Sequence, residues 1–179
     1  MTPDHILHFW FEELAPRDWW AKDEAIDRTI ARRFGATLDA AAAGELFGWR
    51  RDARGRLAEI IVLDQFSRQV HRDTALAFAR DGMALVLAQE ALGAGADRVL
   101  AADQRAFLYL PFMHSESRAI QAVSVRLFEQ PGLEQNLRFA IAHRDIVERF
   151  GRYPHRNRIL GRESTAEELE FLRQPGSSF

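Results

Sequence analysis

Apolar residues recur along most of the chain at three- and four-residue steps, the spacing that gathers them on one face of an α-helix. In "TPDHILHFWFEEL" the shared face is Ile6, Leu7, Trp10 and Leu14, with Thr2 as N-cap and Pro3 at the first helical position. From Asp23 to Ala43 it is Ile26, Ile30, Phe34 and Leu38, and Gly44 is the stop. After the turn-like "RDARG", the stretch "GRLAEIIVLDQFSRQV" predicts a third helix. Asp73 or Thr74 caps a fourth, "ALAFARDGMALVLAQEAL". Its apolar residues fall on two opposed faces, Leu76, Met83 and Leu87 against Phe78, Leu85 and Leu92, which predicts a helix sandwiched between neighbours.

"QRAFLYLPFMH" is apolar all round and therefore predicted to be buried, with Pro111 kinking or ending it. "SESRAIQAVSVRLFEQ", "LEQNLRFAIAHRDIVERFG" and "STAEELEFLRQ" complete the series. In the last, Ser164 and Glu167 stand at capping-box spacing, with Thr165 and Glu168 as the alternative register. No strand-like alternation interrupts these helices, and no linker divides them. The expectation is one all-α domain over residues 1–179, with about eight mostly antiparallel helices. No repeat near 34 residues is visible, so any solenoid character is degenerate.

Polar residues on the apolar faces carry the candidate chemistry. The stripe Leu57, Ile60, Ile61 continues onto Asp64 and Arg68, an acid and a base four apart in the favourable order. The stripe Ala119, Ile120, Val123, Leu127 extends backwards to Glu116. His143 stands amid Phe139, Ile146, Val147 and Phe150. A buried charge costs several kcal/mol unless it is paired, so these groups must satisfy one another or hold a ligand. Both readings stay open: a network that locks helix register, and a pocket.

Composition narrows the chemistry further. There is no cysteine, which removes disulfides and thiolate metal sites and fits a reducing compartment. The start "MTPDHILHFWFEEL" lacks the basic opening and apolar core of a signal peptide, and no apolar run approaches membrane-spanning length. A net charge of −2 leaves no basic footprint for nucleic acid. A cytoplasmic protein with neither nucleic-acid nor membrane partners is expected.

Of the 24 basic residues only Lys22 is lysine. Five of the arginines crowd with His155 into "RFGRYPHRNRILGR", Arg149 to Arg162, where Gly151, Pro154 and Gly161 break the helix. Arg152, His155, Arg156 and Asn157 become donors in a loop, either as a clasp on helix ends or as an anion site. His114 and Glu116 stand at the H-x-E spacing of zinc deaminases, but that chemistry needs a P-C-x-x-C. A site from His114, Glu116, His143 and Asp64 is chemically permissible without support from spacing, so no metal is assigned. No G-x-S-x-G, Walker-type or dinucleotide-binding pattern appears.

Together "HFWFEE", "WWAKDEAID", "LDQFSRQVHRDTALAFARD", "FLYLPFMHSES" and "FGRYPHRNRILGRESTAEE" resemble the bacterial DUF924 family, in order from about Ile6 to Leu172. The resemblance implies an all-helical, TPR-like arrangement and no established reaction or cofactor. It implies recurrent polar residues at Asp64, Gln65, Arg68, His114, Ser115, Glu116, Gln121, His143, Gly151, Arg152, Pro154, His155, Arg156 and Asn157. The chain departs from the family's "LDQFPRN" at Ser67 and Gln69, and from its "YRGT" at His71 and Asp73.

Three functions follow as expectations. The first is a binding module for an anionic small molecule or acidic peptide, held by Gln65, Arg68, Gln121, Arg152, His155, Arg156 and Asn157. The second is a hydrolase or lyase for a phosphorylated or carboxylated metabolite, with or without a metal, with Asp64, His114, Glu116 and His143 as acid–base candidates and arginine stabilising anionic charge. The third is a structural protein whose network is stabilising and whose exposed apolar face serves a homo-oligomer.

Overall fold

The helices appear where the apolar spacing puts them, while several of their faces and starts differ. The computed structural model describes residues 1–178, and every regular element among them is helical. The last position of the expected domain, residue 179, lies outside the described residues. The helices are α1 (Pro3–His8), α2 (Glu24–Ala42), α3 (Ala53–Ile61), α4 (Ser67–Val70) and α5 (Asp81–Gly93), then α6 (Ala102–Met113), α7 (Arg118–Phe128), α8 (Glu134–Phe150) and α9 (Ala166–Phe171). Short 3₁₀ turns join several of them. Among the described residues no helix is long and apolar enough to cross a membrane.

Side-chain caps fix several helix starts. Asp23 accepts from the backbone of Ala25 and Ile26, and Asp52 accepts from Gly55. At α9 the Thr165–Glu168 register forms the capping box, not Ser164–Glu167. Gly151 ends α8 at φ 72°, a left-handed conformation that costs other residues strain.

The core gathers on α1, α3 and α6. Trp10, Phe34, Phe66 and Phe107 are buried and linked ring to ring, with Phe34–Phe66 centroids 5.2 Å apart and Trp10–Phe107 centroids 5.4 Å apart. Later helices pack on their sequence neighbours: α6 on α5, α7 on α6, α8 on α7. A smaller cluster of Ile146, Val147 and Tyr153, joined by Phe150 and Phe171, holds the C-terminal segment.

The fourth helix differs from the expectation. Asp73 takes φ 60°, residues Ala75–Phe78 form a 3₁₀ turn, and α5 begins only at Asp81. That break shifts Leu76 and Phe78 off the helical register. Leu76, Met83 and Val86 are exposed, but Ala84, Leu87, Ala88 and Ala91 are buried and Leu85 and Leu92 pack on the core, so α5 lies against both α3 and α6 with one edge open. α6 runs past Pro111 and ends at Met113. In α7 the buried face is Gln121, Ser124, Val125 and Phe128, rotated from the apolar stripe, because two buried polar groups stand on it. Phe139 is exposed, so the α8 face begins with Ala140 and His143.

Candidate functional site

α3 and α4 form one rod interrupted by a π-helical turn at Val62–Phe66, and all five residues of that turn are buried. Such a turn widens the helix and re-aims side chains. It sets both Asp64 and Gln65 inward. The Asp64 Oδ1 lies 2.8 Å from His114 Nδ1, at the end of α6, and Oδ2 accepts from the Gln65 amide. Arg68, one turn on, donates to the Asp64 carbonyl at 2.6 Å and lies 3.2 Å from Asp64 Oδ1.

A chain of alternating charge continues from there. Arg68 reaches both oxygens of Asp81, each at 3.0 Å. Asp81 Oδ2 also accepts from Arg156 Nη1 at 3.2 Å, while Arg156 Nη2 donates to the His114 carbonyl at 3.1 Å. The Arg156 guanidinium lies 4.6 Å from the ring centroids of Phe78 and of Tyr153. Two carboxylates and two guanidinium groups thus balance in a region of low dielectric.

This balance sets protonation. Burial alone raises the Asp64 carboxyl, but Arg68 and His114 hold it well below the usual carboxylate range. Burial, and then Arg68, push the His114 imidazole below its ordinary value, against the pull of Asp64. His114 is therefore neutral near pH 7. A proton on Nδ1 serves the Asp64 carboxylate, which leaves the Nε2 lone pair on the far side of the ring.

His114 lines an open cleft of about 310 Å³. Phe78, Leu85, Pro111 and Leu160 give its apolar wall, and Asp81, His114, Ser115, Glu116 and Arg156 its polar wall. Glu116 is already satisfied: Arg162 donates to its two oxygens at 2.6 and 2.9 Å, and the Tyr153 backbone N–H donates at 2.8 Å. Burial raises its carboxyl, but those donors outweigh burial and lower it. Ser115 Oγ accepts from the Ser117 N–H.

The remaining candidates lie elsewhere. Gln121 is buried with its amide nitrogen within 2.8 Å of the Met113 and Ser115 carbonyls and the Tyr153 hydroxyl, tying the end of α6 to the C-terminal loop. His143 Nδ1 is 2.8 Å from the Phe139 carbonyl, with its ring edge-on to Tyr153, and burial lowers it to about 3. His155 lies beside the Tyr153 ring, lowered to about 4 by burial and then by Arg156. Arg152 makes two bonds to Glu168 at 2.7 and 2.9 Å and one to the Glu163 carbonyl. Asn157 accepts from Arg162 and donates to Ser164. Arg152 and Asn157 thus build the clasp reading of the arginine-rich loop, while Arg156 alone of its arginines lines the cleft.

Asp81, Phe78, Tyr153 and Arg162 were not among the sequence candidates. Asp81 hides at the start of a helix that the apolar pattern begins earlier. Tyr153 reads in sequence only as the residue before a proline. Among the described residues, no group of three or more His, Asp or Glu side chains is arranged to hold a metal ion.

The family described as "Bacterial protein of unknown function (DUF924)" matches residues 6–176. The chain belongs to the DUF924 family. A solved structure described as "Structure of Protein of Unknown Function ATU0120 from Agrobacterium tumefaciens" is similar over 95% of this chain and 96% of that one, with 44% identity and a TM-score of 0.91. No curated protein matches. In this DUF924 chain the cleft brings the His114 imidazole and the Arg156 guanidinium together with an apolar wall.

Proposed function

We propose that the protein is a cytoplasmic binding module, a helical array of the TPR-like kind, whose cleft receives a small molecule carrying one anionic group. A cleft of about 310 Å³ lies at the small end of ligand-site volumes, roughly 300–1,000 Å³. Phe78, Leu85, Pro111 and Leu160 would cover the ligand's apolar part. Arg156 uses one N–H of each terminal nitrogen internally and keeps a second on each for an acceptor. The equal count of carboxylates and guanidinium groups gives no broad positive field, which favours one anionic group over an acidic peptide.

The observation that carries this reading is the Arg156 guanidinium, a donor on the cleft wall, set beside His114, whose Nδ1 is held by the buried Asp64 carboxylate and whose other nitrogen suits a ligand hydroxyl. Thermal-shift measurements with phosphates, nucleotides and carboxylates test it on the wild type, His114→Gln and Arg152→Ala. At least one compound should raise the melting temperature of the wild type and of Arg152→Ala but not of His114→Gln. Equal responses in all three proteins would refute the assignment.

A further inference from the structure

Resting on the reading of this cleft as a small-molecule site, we propose that it hydrolyses small carboxylic esters, with His114 as general base and Asp64 as its positioning residue. The geometry supplies one proton-moving group and no second. Glu116 is saturated by Arg162 and the Tyr153 N–H, and Asp81 is held between Arg68 and Arg156. A single imidazole must then both take the proton and give it back. Ester hydrolysis allows this, because the proton removed from water is the one the leaving alkoxide needs.

The step balances without a cofactor. His114 Nε2 removes a proton from a water molecule as the water oxygen bonds to the acyl carbon. The carbonyl π electrons move onto oxygen, giving a tetrahedral oxyanion. Collapse of that intermediate breaks the acyl C–O bond, and the alkoxide takes the proton from the His114 imidazolium. The products are a carboxylic acid and an alcohol, and nothing is oxidised or reduced.

Asp64, 2.8 Å from Nδ1 and buried, holds the ring in the tautomer with Nε2 unprotonated and stabilises the imidazolium once formed. Arg156 lines the same cleft as His114 and donates to its backbone carbonyl, and its remaining N–H groups would serve the oxyanion. The burial that keeps His114 neutral keeps it in its base form near pH 7. Phe78 and Leu85 would cover the acyl or alkyl chain.

The test uses p-nitrophenyl acetate with the wild type, His114→Gln, Asp64→Asn and His8→Asn, the last removing an exposed histidine far from the cleft wall. Wild type and His8→Asn should release p-nitrophenol at equal rates, and His114→Gln should lose about 100-fold or more. Asp64→Asn should lower kcat with little change in KM, as expected of a residue acting through the imidazole. Should Asp64→Asn fail to fold, acylation of the wild type by diethyl pyrocarbonate, mapped by mass spectrometry, takes its place. His114 should then react faster than His5 and His8. Wild-type hydrolysis no faster than that of His114→Gln overturns the proposal, as does a His114 that stays unlabelled. A compound that stabilises the protein through His114 while hydrolysis is absent would sink this inference and leave the binding module standing.

Discussion

Arginines within one short segment of this chain do opposite things. Arg152 and Arg162 find their carboxylates, Glu168 and Glu116, and saturate them with two bonds each. Further bonds to the Glu163 and Tyr153 carbonyls close the loop on itself. Arg156, a few residues from each, turns inward to Asp81 and the end of α6, and lines a cleft with the histidine it meets. All three are rich in charge and in hydrogen bonds. Density of arginine therefore does not mark a site; a place on the wall of a cleft does.

The comparison can be broken hardest at Asp64. Asp64→Ala leaves Arg68, half-buried, beside a single remaining carboxylate and frees the His114 ring. A loss of about 3–5 kcal/mol is expected, measured by urea denaturation, because half of a buried pair has been removed. A loss within the range of ordinary surface changes, below about 0.5 kcal/mol, would mean that the charge chain holds nothing together.

Acid titration sharpens the contrast at two further positions. Glu168 is lowered from 4.5 to about 2, first by Arg152. A carboxylate lowered on folding stabilises the protein above its unfolded value, and that share is lost as pH falls towards about 2. Glu168→Gln should remove the Glu168 share of the drop in melting temperature between those values. An unchanged acid profile in the variant would remove the clasp from the account.

His143 acts at milder pH. Burial lowers it from 6.5 to about 3, so between these values the unfolded chain binds a proton that the folded one does not. Stability therefore rises with pH across that window. His143→Leu should flatten part of the rise, His114 and His155 carrying the rest, and should leave any ligand response intact. Loss of the ligand response in this folded variant would move His143 into the site.

Much was legible from spacing. Asp64 and Arg68 were set inward by an apolar stripe of period 3.6, and a stripe is a local property of the chain. Glu116 came from the apolar stripe of the next helix extended backwards, and His114 from its H-x-E spacing with Glu116 and from the family likeness. Arg152 and Arg156 could not be told apart, since both are loop arginines with the same neighbours in sequence. Asp81 was missed because the break at Asp73–Phe78 depends on a left-handed φ that the apolar pattern runs straight through.

The sequence by itself determined the helices, most of their caps, the all-α class and the family, because each of these depends on residues close along the chain or on the order of motifs. Only the tertiary structure decided which carboxylate each arginine meets, and which histidine lines the cleft. Those pairings join residues separated by up to 75 positions, as Asp81 and Arg156 are. Packing of whole helices, and not local spacing, brings such groups within hydrogen-bonding distance.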